Sequence, residues 1–201
     1  MMGKPRNSES HFIIPHIPEG TVGAEIGVWM GHTAESIIKK KKPAHLHLVD
    51  PWSVEPYKQQ VKNEHRSYEN YLAKYSKVTG SSTEEGFAAH YDKVHASVVK
   101  RLGSMHNVTI HRKWSKDFFD TFEDKLDWIY IDGDHTYEGC YADLTGCMKI
   151  MKPGSLIFGD DYPWAKTRGK PGVLQAVDQF IQETGFEITK LGNREYKIKV
   201  S

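Results

Sequence analysis

The sequence predicts an α/β fold: a seven-stranded, mostly parallel sheet with an antiparallel last strand and helices on both faces. Three observations predict it. Short apolar runs alternate with helical patterns along the chain, the order that builds a parallel sheet covered on both sides. Several of those runs end in glycine or aspartate, as strands feeding a ligand site do. The last two runs are joined by too short a turn for a crossover, so they must pair antiparallel.

The elements follow in order. Val22 to Gly27 reads as a strand, Thr33 to Lys42 as a helix, and His45 to Asp50 (HLHLVD) as a strand of period two. A long polar stretch follows, in which Tyr68, Tyr71, Leu72 and Tyr75 recur at helical spacing. Ser82 with Glu85 matches a capping box ahead of the stripe Phe87, Tyr91, Val94, Val98 and Leu102. Asn107 to His111 is a strand, and Ser115 caps a short helix through Phe119. Leu126 to Asp132 (LDWIYID) is the most apolar strand, followed by a helix from about Tyr137 to Met151. Pro153-Gly154 turns the chain into a strand from Ser155 to Phe158. Val173 to Thr184 is an amphipathic helix, and strands near Phe186 to Leu191 and Glu195 to Val200 meet at a turn holding Asn193.

The 201 residues suit one domain, 1–201, with residues 53–82 as an inserted lid or substrate-binding segment. Hydrophobic residues at 38% and charged residues at 26% describe a globular protein. A net charge of +1 supplies no field for a polyphosphate backbone, which argues against nucleic acid as partner. The run Lys39 to Lys42 reads as a solvated helix end, where cations suit the dipole. Cys140 and Cys147 lie about 10 Å apart on a helix rising about 1.5 Å per residue, too far for a disulfide. No apolar run reaches membrane-spanning length, and Met1 to Ser10 is unlike a secretory signal, so the cytoplasm is expected and a membrane partner is not. The segment His11 to Pro18 (HFIIPHIP) is apolar enough to pack over a pocket or on a second copy of the chain, which leaves a homo-oligomer open.

The strand ends carry the chemistry. Gly27 and Gly31 (AEIGVWMGHT) permit a sharp turn and close approach to a ligand, with free amides at the start of the next helix. Their spacing is not the dinucleotide fingerprint, which argues against a nicotinamide dehydrogenase. Asp50, about twenty residues on at the next strand end, is placed to accept ribose hydroxyls. Glycine turn and acid together indicate a nucleoside-containing cofactor. IDGDH (131–135) and FGDDY (158–162) then set Asp132, Asp134, Asp160 and Asp161 at neighbouring strand ends. Carboxylates so close repel one another, and magnesium or manganese, which favours oxygen ligands, is the usual remedy. Any one of these aspartates could instead be a loop cap. His45, His47, His90 and His95 read as structural or exposed.

AEIGVWMGHTA, HLVDPW, IDGDHTYEGCYADL and KPGSLIFGDDY together resemble the metal-dependent branch of the class I methyltransferases that includes macrocin-type sugar O-methyltransferases and cephalosporin hydroxylase-like proteins. The similarity covers about residues 20 to 190. It implies a Rossmann-like sheet whose last strand inserts antiparallel beside the fifth. It also implies S-adenosylmethionine as cofactor, with Gly27 and Gly31 under its methionine part and Glu25 supporting the turn or meeting the amino group. Thr33 would stand at the same helix start, Asp50 on the ribose, Ser115 at the adenine edge and Trp114 over the ring. Asp132, Asp160 and Asp161 correspond to metal ligands and Asp134 to the general base, with His135 as the rival base. The expected activity is metal-assisted O-methyl transfer to a small-molecule hydroxyl, a sugar first and a phenol second. Two other readings stand beside it: a metal-dependent phosphoesterase or hydrolase, and a cofactor-binding interaction module without catalysis. Tyr57, Trp164, Lys166 and Arg168 flank the expected site as candidate substrate contacts.

Overall fold

The computed structural model describes residues 11–58, 67–162, 171–192 and 194–201. One sheet is built from β1 (Val22–Ile26), β2 (His45–Val49), β3 (Val108–His111), β4 (Leu126–Ile131), β5 (Met151–Gly159), β6 (Ile188–Gly192) and β7 (Glu195–Lys199). Its order is β3-β2-β1-β4-β5-β7-β6. The first five strands run parallel, and β7 enters antiparallel between β5 and β6. The expected sheet is therefore the observed one. Flanking helices are α1 (His32–Lys41), α2 (Tyr68–Thr79), α3 (Glu84–Leu102), α4 (Ser115–Thr121), α5 (Tyr137–Cys147) and α6 (Pro171–Thr184).

Both faces are covered, so β4 is apolar at nearly every position instead of alternating. On one face Ala24, Ile26, Ile129, Ile131 and Ile157 meet Phe118 and Phe119 of α4, Leu144 of α5 and Phe180 of α6. On the other, Leu46, Leu48, Trp128, Tyr130 and Phe158 share a core with Ile37 of α1 and the α3 stripe from Phe87 to Leu102. Ile13, Ile14 and Ile17, around a 3-10 turn at Ile14–His16, are buried in this second core. The apolar N-terminal segment thus packs within its own fold. Cys140 and Cys147 are both buried, and neither forms a disulfide.

Element ends differ from expectation where a side chain finds a better partner. Thr83, not Ser82, caps α3 by accepting from the Gly86 amide at 3.2 Å, because the Ser81 hydroxyl already takes the Thr83 amide at 3.1 Å. Trp114 occupies the cap position of α4, and Ser115 is its first helical residue. Helix α5 stops at Cys147, since Met151 is already the first residue of β5. The Pro153-Gly154 turn therefore lies inside β5, where pairing with β4 shifts register between Leu126 and Trp128. Lys39, Lys40 and Lys41 form the last turn of α1, as expected. Asn193 lies outside the described residues. Among the described residues no helix is long and apolar enough to cross a membrane.

Histidines group at the β2–β3 edge. His47 Nδ1 lies 3.1 Å from His111 Nε2, and His45 Nε2 lies 2.8 Å from Thr109 Oγ1. Burial against Phe118 and Phe122, helped by the neighbouring His45 and His111, lowers the His47 pKa from 6.5 to about 4. Between those values the unfolded chain binds a proton that the folded chain refuses. Stability is accordingly full above pH 6.5 and falls as the pH drops toward 4. His47→Gln is expected to flatten this acid limb, read as the urea midpoint followed from about pH 7 to about pH 5.

Candidate active site

The strand order reverses between β1 and β4, the switch point where open parallel sheets bind ligands beyond their carboxyl ends. The chain is strained around this crevice. Trp29, Trp52 and Asp161 hold positive φ angles of 45°, 40° and 58°, beyond the ends of β1, β2 and β5. Left-handed backbone costs a non-glycine residue on the order of 1–3 kcal/mol and persists where the surroundings enforce it.

Asp50 enforces two of these conformations. Its Oδ2 accepts from the Trp29 amide at 2.9 Å and its Oδ1 from the Trp52 amide at 2.7 Å. The Trp52 indole then donates to the Trp29 carbonyl at 2.9 Å. Burial pushes the Asp50 pKa up, and the amides of Trp29, Trp52 and Val28 work against that rise. The carboxylate is fixed in orientation, as a ribose ligand should be, while also serving the turn.

Gly27 and Gly31 both adopt left-handed φ, 87° and 74°. A Cβ on Gly27 would stand 2.2 Å from the carbonyl oxygen of Asp132. Its bareness therefore serves first to let the β1 turn and the end of β4 touch. Gly31 caps α1, facing Val98 and Leu102 of α3. Thr33 is the second residue of α1, and its hydroxyl lies 3.3 Å from His11 Nε2. Glu25, only 2% exposed, has one oxygen, Oε2, with no hydrogen-bond partner among the described residues. Burial, with Asp132 and Asp50 nearby, raises its pKa well above the ordinary value.

Of the four clustered aspartates, two are bridged by a histidine. His135 Nε2 lies 3.1 Å from Asp132 Oδ1 and its Nδ1 lies 3.1 Å from Asp161 Oδ2. Arg194 pairs with the other Asp161 oxygen at 2.7 Å, and the Tyr130 hydroxyl donates to Asp132 at 3.3 Å. Burial alone would lower the His135 pKa, but its bonds to Asp132 and Asp161 prevail and hold it at about 10. An imidazole and a guanidinium thus both face the acid pair. Among the described residues no three acid, imidazole or thiol groups stand together as a metal would hold them. Asp160 is buried just past β5. Asp134 Oδ1 accepts from the Thr136 amide at 2.9 Å, and Thr136 caps α5.

Past the end of β3, Trp114 is 42% exposed. Ser115 does not cap its helix: its hydroxyl donates to Asp143 at 2.5 Å. Asp143, Arg194, Tyr130 and Glu195 are site neighbours that motif reading missed. Asp143 left a signal, because it interrupts the buried stripe Cys140, Leu144 and Cys147 of α5. Arg194 left none, since a turn residue carries no periodicity. Tyr57, within the expected insertion, stacks on Tyr91 of α3 at 5.4 Å. Trp164, Lys166 and Arg168 lie outside the described residues.

Residues 24–162 match the family model described as "Methyltransferase domain". The chain belongs to this family. A comparison with curated proteins finds no match. Among solved structures, this methyltransferase is similar to the O-methyltransferase NovP, at 16% identity and a TM-score of 0.59 over 98% of this chain and 77% of that one. It is also similar to the O-methyltransferase TomG from Streptomyces achromogenes, solved with S-adenosylmethionine, at 12% identity and a TM-score of 0.56 over 100% and 82%. A third is an S-adenosylmethionine-dependent O-methyltransferase from Thermotoga maritima, at 12% and 0.56 over 100% and 67%. At these identities the likeness establishes the fold.

The methyltransferase places Gly139 so that an added Cβ would meet the Asp134 carboxyl group at 2.4 Å. Gly139→Ala should leave thermal stability nearly unchanged, because alanine favours the helix by about 1 kcal/mol and offsets the crowding. With Asp134 as the base proposed below, its displacement should lower methyl transfer by about a hundredfold, as steady-state rates would show.

Proposed function

We propose that the chain is an S-adenosylmethionine-dependent O-methyltransferase acting on a small-molecule hydroxyl in the cytoplasm, with a sugar as first choice of acceptor. The observation that carries the cofactor is Glu25. A buried carboxyl group with one oxygen unpartnered, beside the glycine turn and Asp50, fits the ammonium group of an amino acid. Asp50, held by two amides, keeps lone pairs for a ribose. Ser115 and the exposed Trp114 would flank the adenine. Oxygen as acceptor is supported by the three O-methyltransferases of like fold, and a sugar by motif resemblance alone.

When bound, the cofactor supplies a methyl group on a positively charged sulfur, open to attack by an acceptor oxygen. Asp134 receives the proton of that hydroxyl. His135, the rival base, has both ring nitrogens directed at carboxylates, whereas, among the described residues, Asp134 accepts only from the Thr136 amide. The Thr136 amide holds Asp134 in place for it, and the bare Gly139 leaves it room.

The donor chemistry of Asp132, Asp160 and Asp161 fits a hard divalent cation, magnesium first and manganese second. These three carboxylates would hold the ion at the ends of β4 and β5. A metal there would lower the pKa of the acceptor hydroxyl, making an aspartate sufficient as base.

Two experiments test this reading. Calorimetry should detect S-adenosylhomocysteine binding, and Asp134→Asn should keep that affinity while turnover falls by about a hundredfold or more. A variant with near-normal rates would remove Asp134 as base. Chelation should abolish transfer and magnesium or manganese restore it; rates indifferent to the chelator would refute the metal.

A further inference from the structure

Glu195 opens β7 fully buried, on the sheet face that carries Tyr130 and Phe158. Its Oε2 accepts from the amides of Phe12 at 2.5 Å and Ile13 at 3.1 Å, and its Oε1 faces His11 Nδ1 at 2.9 Å. A carboxylate can only accept, so Nδ1 carries a proton. The opposite nitrogen, Nε2, faces the Thr33 hydroxyl at 3.3 Å. The His11 side chain is 7% exposed, and its ring stands edge-on to Tyr130, 6.4 Å between centres. One imidazole thus joins the first turn of α1 to a strand at the other end of the sequence.

Packing alone does not call for this arrangement. Ile13, Ile14 and Ile17 already bury the segment by apolar contact, whereas a fully buried carboxylate is costly unless its partners matter. What the pair adds is direction: it fixes the imidazole against Thr33, directly after the Gly27–Gly31 turn. We infer that His11, held by Glu195 and acting through Thr33, is a positioning residue for the amino-acid end of the cofactor. The inference rests on the S-adenosylmethionine reading above and deepens it.

Two ligands separate this role from general support of the fold. S-adenosylhomocysteine has the amino-acid end, and methylthioadenosine lacks it. In the full chain, His11→Ala should weaken S-adenosylhomocysteine by about tenfold, the upper end of what one ordinary hydrogen bond contributes, as Thr33 loses its orientation. Methylthioadenosine should change by less than about twofold, and Glu195→Gln should show the same asymmetry. Unchanged affinity for S-adenosylhomocysteine, or equal weakening of both ligands, would overturn the inference. If His11→Ala does not fold, Thr33→Val, which removes only the hydroxyl at the contact, decides in the same way: selective loss supports the role and no loss refutes it. An unaltered protein that binds neither ligand would instead sink the cofactor reading, and this inference with it.

Discussion

Parallel strands lie about 4.8 Å apart, so acids at the ends of adjacent strands cannot avoid one another. That is the condition at the carboxyl edge of β1, β4 and β5, where Glu25, Asp132, Asp160 and Asp161 converge. The Tyr130 hydroxyl stands among them, its ionisation suppressed by burial first and then by Asp132, Asp160, Glu195 and Glu25. The fold answers the repulsion with its own cations. His135 links Asp132 to Asp161, and Arg194 neutralises the far side of Asp161.

The same acids explain where the backbone is strained. Trp29 and Trp52 are kept in left-handed conformations because each points its amide at Asp50. At Asp161 the restraint comes from His135 and Arg194, and the Arg194 carbonyl also accepts from the Tyr162 amide at 3.1 Å. Strain and charge are one feature here. The backbone bends because doing so satisfies buried carboxylates, and those carboxylates face the crevice at the switch point.

Much of this was legible in the sequence. The strand pattern, the place of each acid at a strand end and the insertion of β7 beside β5 followed from apolar runs, turn lengths and motif resemblance. Partnerships were not legible. Spacing places Asp132, Asp160 and Asp161 at neighbouring ends but cannot say whether an ion or His135 lies between them, since both satisfy the same charges. Ser115 was read as a cap because serine commonly caps, yet Asp143 from α5 offered it a buried acceptor. Ser82 lost the cap of α3 to Thr83 through a hydroxyl one residue earlier. Such choices are made across the fold, where local pattern has no view.

The N-terminal segment shows how topology left room for a long-range contact. Helices α1 and α3 belong to the β1–β2–β3 half of their face. Beyond β1 the crossovers through α5 and α6 lie on the opposite side, so Trp128, Tyr130 and Phe158 need another cover. Ile13, Ile14 and Ile17 supply it, and doing so brings His11 to the crevice and the buried Glu195 to the amides of Phe12 and Ile13. A carboxylate on β7 thereby reaches α1 through a residue that precedes the whole sheet in sequence. The glycine turn after β1 and the acid cluster are tied across the face by that link as well as through the strands.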